Sequence, residues 1–340
     1  MPTVSVEALR HMARHILEAA GTPPDLAETV GASLVEANMV GHDSHGVIRL
    51  KVYVRLIREG RVKPDVRPRV ETRHQASAHV DGAWGWGHAA ASLATQTVIE
   101  LAREFGVGTV TIKHCNHIGR LGQYVEIMAR AGMVGMAWSN CPVAVAPYGG
   151  RQALMGTNPF AMAAPRGVDA QPLLLDFATS GVAEGKLQVA RAKGEQVRPG
   201  LILDREGHPS CDPADFYSGG ALLPFGEHKG YAMSLFVELL GGALSGTAPS
   251  ALPEYEGGNG TLLLAIDTAA FVPITQFSRQ VEALCTLIKA SPTAEGFSEV
   301  LLPGEPEAMA RRHRLEEGIP LPEQTWDELQ ALARELNVAV

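Results

Sequence analysis

His42, Asp43, Ser44, His45 and Arg49 crowd proton-carrying and anion-binding groups into one short run of this 340-residue chain. An imidazole moves a proton near neutral pH, and a guanidinium grips a carboxylate through two parallel hydrogen bonds. Together they suit an acid that reacts at the carbon next to its carboxylate. An amphipathic pattern restarts at Val47, Ile48, Leu50, Tyr53, Val54 and Ile57 and predicts a helix over Gly46–Glu59. Ser44 is the candidate cap of that helix, whose N-terminal dipole end favours an anion. His45 and Arg49, four residues apart, are expected on one face of it.

A second polar knot runs from Lys113 through His114, Cys115, Asn116 and His117 to Gly119 and Arg120. It begins where the predicted strand Thr109–Ile112 ends, and loops at strand ends commonly carry function. His117 could face His45, one ring moving a proton while the other orients the substrate; each knot by itself is equally compatible with ordinary hydrogen-bonded loop histidines. Both knots contain an HxxH pair, His42/His45 and His114/His117, so a metal-dependent lyase or hydrolase is the rival from another class. Neither pair has the HExxH form of a helical zinc site, and no metal site is expected.

Two glycine-rich stretches compete as phosphate cradles. Gly85-x-Gly87-x-x-Ala90 is a loose dinucleotide fingerprint, but the strand after its helix ends in Lys113 and His114 in place of a ribose-binding acid. It reads as a turn packing a helix on a sheet. Phe225–Gly230 is the better candidate, because Lys229 at a helix N-terminus conflicts with the dipole unless an anion sits between them. Asp176–Ser180 offers hydroxyls and N–H groups to the same ligand, and Thr157 and Asn158 of Gly156–Phe160 are candidates for orienting a substrate, or belong to a plain Asn-Pro turn.

These motifs need elements to hold them. Helical patterns are expected at Ser5–Ala20, capped by Ser5, and at Asp25–Val40, Ala89–Phe105 and Leu121–Ala131. Alternation at Ala76–Asp81 and the runs Thr109–Ile112, Val134–Trp138, Ala161–Ala164, Leu173–Phe177, Leu201–Leu203 and Thr261–Ile266 read as strands. Gly230–Gly246 reads as a buried helix and a candidate subunit contact, and Thr325 with Glu328 as a capping box opening Thr325–Leu336. The expected fold is mixed α/β: a sheet domain over 71–299 flanked by helices, and a mainly helical domain assembled discontinuously from 1–70 and roughly 300–340.

A net charge of -8 and a pI near 5.8 leave Arg311, Arg312 and Arg314 as the dense basic cluster, so nucleic acid is not an expected partner. No apolar run is long enough for a membrane span, and the four cysteines form no CxxC pair. The N-terminus lacks the basic and apolar sections of a signal peptide, and a cytoplasmic location is expected.

Taken together, GHDSHGVIRL (41–50), NHIGRLGQY (116–124), GTNPF (156–160), DFATS (176–180), HKGY (228–231) and Pro303-Gly-Glu305 resemble, in register, the type 2 malate/L-lactate dehydrogenase family. The likeness runs from about residue 4 to 336, and the NHIGRLG form is similar to its broad hydroxycarboxylate branch. The resemblance implies a homodimer with a non-Rossmann site for NAD or NADP on a mixed sheet. It implies hydride transfer at C2 of a small 2-hydroxy or 2-oxo acid, with reduction of cyclic 2-imino acids as the alternative within the family. Positions matching family cofactor contacts are Ser139, Asp176, Phe177, Ala178, Lys229, Gly230, Gly304 and Glu305. His45 and His117 both match residues given the acid/base role in different members; Arg49 is the expected carboxylate clamp on its own chemistry, and Arg120, which is not general across the family, is a candidate for recognising a second acidic group or for a subunit contact.

Overall fold

Ser5 caps the first helix as its position predicts: its hydroxyl accepts the Ala8 N–H at 3.2 Å, and α1 (Val6–Ala19) follows. In this computed structural model, residues 1–167 and 170–339 are described. Helices α2 (Pro24–Met39) and α3 (Leu50–Arg58) pack with α1 over a core that includes Leu9, Ile16, Leu34, Leu50 and Val54. Leu321, Leu329 and Leu332 from the other end of the chain enter the same core, the last two from α11 (Glu323–Glu335). Strand β1 (Thr3–Val4) pairs antiparallel with β12 (Ile319–Pro320), so the N- and C-terminal segments share both a ladder and a core.

The main sheet holds β2 (Arg69–Arg73), β3 (Ser77–Asp81), β4 (Val107–Lys113), β5 (Met133–Ser139), β6 (Phe160–Ala164), β7 (Leu173–Phe177) and β11 (Thr261–Asp267). Their order is β2-β3-β4-β11-β5-β6-β7, with β3 and β4 parallel and every other neighbour antiparallel. Helices α4 (Gly87–Phe105) and α5 (Gly122–Arg130) cover the sheet, meeting Val110, Ile112, Met133 and Leu263 in its core. A small antiparallel sheet of β8 (Ile202–Leu203), β9 (Pro209–Ser210) and β10 (Ala221–Leu222) has a separate core around Val145, Met155 and Leu187. Helices α6 (Glu184–Lys193) and α7 (Pro213–Tyr217) lie beside it.

The register gathers the chemistry at one end of the sheet. Thr261, the first residue of β11, lies opposite both Ile112 and Ser139, and Phe160 lies opposite both Trp138 and Phe177. The ends of β3, β4, β5 and β7 and the starts of β6 and β11 therefore share one edge, from which the loops after Asp81, Lys113, Ser139 and Phe177 all emerge.

Three expectations change. The helix predicted over Gly46–Glu59 begins only at Leu50, after two 3-10 turns, Asp43–His45 and Val47–Arg49. Thr325 lies inside α11, whose cap position is Pro322, because fixed proline geometry already sets the helix entry. Gly230–Gly246 divides into α8 (His228–Val237) and a π-helical turn, Glu238–Ala243, and is only half buried. Its small and polar residues, Gly230, Ser234, Glu238 and Gly241, face inward, whereas Phe236 and Leu244 are each 60% exposed. Two helices outside the expected set lie late in the chain: α9 (Ile274–Lys289) carries an amphipathic pattern, Ile274, Phe277, Val281, Leu284 and Ile288, but buries only Cys285, and α10 (Glu305–Glu317) has no apolar stripe and buries no residue.

Candidate active site

The loop after β4 is braced from below by the glycine-rich turn after β3. Asn116 Nδ2 donates to the carbonyls of Trp84 at 2.9 Å and Gly85 at 3.0 Å. A Cβ on Gly87 would lie 2.1 Å from the Asn116 carbonyl oxygen, so only glycine lets helix α4 start this close to the loop. The Gly85–Ala90 segment does open the helix of a parallel β3-α4-β4 unit, yet its closest approach is to protein backbone, which is the packing role read from the sequence.

The opposite wall is organised by Asn38 and not by Ser44. Asn38 Oδ1 accepts the Val47 N–H at 2.9 Å, and its Nδ2 donates to Asp43 Oδ1 at 2.7 Å. Gly46 presses on this amide so closely that a Cβ there would sit 2.1 Å from Asn38 Oδ1. His45 and Arg49 consequently do not share a helical face. They are joined because Arg49 Nε donates to the Ser44 carbonyl at 2.7 Å, and the two terminal nitrogens of Arg49 make no hydrogen bond among the described residues. Those nitrogens form the fork that a carboxylate requires.

The two walls bring His45 and His117 together, with stacked rings 5.5 Å apart between centroids. Ser44 Oγ lies 3.0 Å from His45 Nδ1, and the Tyr53 hydroxyl lies 2.7 Å from His117 Nδ1, which leaves Nε2 of each ring for a ligand. Burial, then the Arg49 charge and neighbouring rings, holds His117 well below the usual histidine range. The same causes, with Arg120 contributing, bring His45 down to about 3. Burial pushes the Tyr53 phenol up, so it stays protonated. His88 completes the cluster: it is enclosed, 5.7 Å from Tyr53 and 6.1 Å from His117 between ring centroids, with neither nitrogen bonded.

The four HxxH rings diverge. His42 Nε2 contacts Glu307 at 3.4 Å and His114 Nδ1 contacts Asp81 at 3.0 Å, each pointing away from the stacked pair. Among the described residues no group of three or more His, Cys, Asp or Glu side chains is arranged to hold a metal.

Most residues matched to cofactor contacts lie around edge strand β7. Asp176 Oδ2 accepts the first N–H of α5, from Gly122, at 2.7 Å. Phe177 packs edge-on against Phe225, 5.6 Å between centroids, and the Phe225 N–H donates to the Thr179 carbonyl at 3.0 Å. These contacts run Asp176–Ala178 alongside the loop to exposed Lys229 and buried Gly230. On the other flank the Leu174 N–H donates to the Pro303 carbonyl at 3.1 Å, bringing Gly304 and Glu305 beside the same strand. Glu305 is engaged by Lys289 at 2.7 Å and by the Leu302 N–H at 2.9 Å.

Arg120 belongs with this group. It is 3% exposed, and its Nε and Nη2 have no hydrogen-bond partner. Its Nη2 lies 3.7 Å from the Glu126 carboxylate, and its unfilled N–H donors, with the exposed Lys229 on the neighbouring loop, suit an anionic group such as the phosphates of a nicotinamide dinucleotide. Ser139 and Asn158 are differently placed. The Ser139 hydroxyl is covered and already bonded to Thr261 Oγ1 at 3.1 Å. Asn158 is wholly buried, donating to Glu238 at 2.9 Å and Ser234 Oγ at 3.0 Å and accepting from the Cys141 N–H at 3.1 Å, so it holds its loop and has no atom to offer a substrate. The neighbouring Thr157 carbonyl is taken by the Thr179 N–H at 2.9 Å.

Tyr53, His88, Asn38 and Glu238 were not read as site residues from sequence. Tyr53 passes for a member of an apolar stripe, although its place four after Arg49 and eight after His45 was a usable signal. Glu238, inside an apolar run, gave another: its buried carboxylate accepts from Gly156 N–H, Asn158, Asn140 and Ser250 and joins the site loops.

The sequence matches the malate/L-lactate dehydrogenase family over residues 4–330. It is 35% identical to L-sulfolactate dehydrogenase of Methanothermobacter thermautotrophicus across 98% of this chain and 97% of that one. It is 36% identical to hydroxycarboxylate dehydrogenase B of Escherichia coli O157:H7, covering 98% and 94%. The fold superposes on the crystal structure of delta1-piperideine-2-carboxylate reductase from Pseudomonas syringae with a TM-score of 0.86 at 32% identity, covering 98% of this chain and 100% of that one. A full-length match of this kind, together with the paired histidines over an open arginine fork, makes the chain a member of the malate/L-lactate dehydrogenase family and an oxidoreductase acting on CH–OH.

Proposed function

We propose that the protein interconverts a small 2-hydroxy acid and its 2-oxo acid, using NAD or NADP. The observation that carries this reading is the stacked His45–His117 pair beside the unengaged fork of Arg49. When bound, the nicotinamide supplies the two-electron chemistry, taking the hydride from C2 or returning it. Arg49 holds the substrate carboxylate, and the C2 oxygen lies between the two Nε2 atoms. In oxidation the hydroxyl proton moves to His117 Nε2, and in reduction the same nitrogen returns it. Tyr53 supports either state by accepting from Nδ1–H, because a neutral ring whose Nε2 is free to take the proton carries its own hydrogen on Nδ1, as the imidazolium also does. A base steadied by a third group is the usual arrangement for proton transfer, and His45 then orients the substrate oxygen.

The helical body of 1–70 and 300–340 supplies His45, Arg49 and Tyr53, and the sheet domain of 71–299 supplies His117. Arg120, Lys229, the Asp176–Ala178 strand end and the Gly304–Glu305 turn hold the cofactor. The exposed apolar face of Phe236, Leu239 and Leu244 suits a second copy of the chain in a homodimer. The solved reductase relative supports a second reading, reduction of a cyclic 2-imino acid with the same hydride chemistry. One experiment separates the readings: NADH and NADPH oxidation by EDTA-treated protein, with a panel of 2-oxo acids and a cyclic imino acid. Turnover of a 2-oxo acid is the expected result; activity confined to the imino acid selects the second reading, and no turnover overturns both.

A further inference from the structure

Helix α10 carries a charged face that the reaction above does not use. Glu307, Arg311 and Arg314 follow one another at spacings of four and three, the repeat that lines side chains up along a helix. Glu307 meets His42, and Arg311 bonds Glu36 and, at 3.1 Å, Glu126. Arg314 grips Asp43 with both terminal nitrogens, at 2.6 and 3.1 Å, and also bonds the Asn38 carbonyl.

The Arg314 contact is placed where it can matter. Asp43 Oδ1 receives Arg314 Nη1 and Asn38 Nδ2 together, while Asn38 Oδ1 holds the Val47 N–H. Arg314, Asp43 and Asn38 therefore enclose the span containing Ser44 and His45, and Arg49 is tied to the same span through the Ser44 carbonyl. The turn Asp43–His45 is 3-10, a geometry with weaker hydrogen bonds, and all three of its residues are only partly covered. Core packing does not fix its shape, so the side-chain clamp must. The far end of the strut is the Gly304–Glu305 turn beside β7, roughly 15 Å away at 1.5 Å per residue of helix.

We propose that Arg314 is a positioning residue for the substrate-side turn: by clamping Asp43 it sets the orientation of His45 and Arg49, and α10 joins that turn to the cofactor-side turn at Gly304–Glu305. The inference rests on the reading of His45 and Arg49 as substrate groups given above.

The test compares Arg314→Met, Arg314→Lys, Asp43→Asn and the double variant Asp43→Asn/Arg314→Met in the full-length protein. Readouts are NAD(P)H affinity by fluorescence and steady-state reduction of the best 2-oxo acid. Each single variant is expected to lose about tenfold or more in kcat/KM while cofactor affinity moves by less than about twofold, because a displaced catalytic turn costs far more than its contact energy. The double variant is expected to be no worse than Arg314→Met, and added guanidinium ion to restore part of the Arg314→Met rate, which a purely structural role would not allow. Single variants with wild-type kcat/KM, or losses that multiply in the double variant without guanidinium rescue, overturn the clamp. If Arg314→Met does not fold, Arg314→Lys and Asp43→Asn decide, since each breaks the two-pronged pair and leaves a polar side chain. His45→Ala and Arg49→Ala run alongside: wild-type rates in both sink the substrate-site reading itself, whereas their inactivation with full activity in the Arg314 and Asp43 variants sinks only the clamp.

Discussion

The Tyr53 hydroxyl, 2.7 Å from His117 Nδ1, ties an aromatic residue of α3 to the histidine loop after β4. Because the phenol is buried and holds its proton, the bond keeps His117 Nε2 directed at the cleft. Tyr53→Phe leaves the ring packing and removes the bond. Turnover is expected to fall by about ten- to a hundredfold, with about 1–3 kcal/mol lost from stability for the unpaired nitrogen. Steady-state kinetics and urea unfolding measure the two effects separately, and unchanged kcat would remove Tyr53 from the proton path.

Arg49→Ala should raise KM for the acid and lower kcat/KM by about a hundredfold, the scale of one or two charge-assisted hydrogen bonds of about 1.5–3 kcal/mol each. Cofactor affinity should change little, because Arg49 is tied to the Ser44 carbonyl beside His45 and makes no hydrogen bond to the Asp176–Ala178, Lys229 or Gly304–Glu305 segments among the described residues. An equal loss of NAD(P)H binding in a fluorescence titration would place the guanidinium at the cofactor instead.

Stability should weaken in acid. His45, His88 and His117 all have folded pKa values below the unfolded value of 6.5, with His45 and His88 brought down to about 3. The unfolded chain therefore binds more protons below pH 6.5, and the folded state is progressively penalised as pH falls from there toward 3. The slope approaches about 1.4 kcal/mol per pH unit for each such histidine. His88→Phe removes one of them, so its melting temperature relative to the unaltered protein should rise on going from pH 8 to pH 5; a constant difference across that range would contradict the buried, neutral state.

Gly87→Ala separates the packing role of the glycine-rich turn from a phosphate role. The added methyl drives into the Asn116 carbonyl, so the His117 loop must shift and turnover should drop by about tenfold or more with cofactor affinity retained. Lost dinucleotide binding with the loop intact would revive the fingerprint reading.

Glu238→Ala should be among the most destabilising single changes. It strips the partner from Asn140, Asn158, Ser250 and the Gly156 N–H inside the protein, for a loss of about 3 kcal/mol or more. Urea unfolding at neutral pH gives the number, and a loss under about 1 kcal/mol would mean that water replaces those bonds readily.

Local signals carried most of the architecture. Ser5, the apolar period of α1 and α2 and the alternation of β4 and β5 were legible because cap, stripe and strand patterns depend on neighbours a few residues away. His45, His117, Arg49 and the Lys229 loop could be picked out as candidates because proton-carrying and anion-binding residue types crowd into short runs there. The sequence also pointed away from a Rossmann cofactor site, through the missing acid after the second strand.

Tertiary structure decided the rest. That His45 and His117 stack while His42 and His114 turn to Glu307 and Asp81 depends on partners far away in sequence. Asn38 replaces Ser44 as the organiser of the first knot because a side chain from α2 takes the Val47 N–H that a local cap would need. Helix α10 had no apolar stripe to reveal it, since ion pairs hold its inner face, and ion pairs leave no periodic hydrophobic trace. Sequence determined which groups could move a proton or hold an anion; the register that brings six strand ends to one edge decided which of them meet.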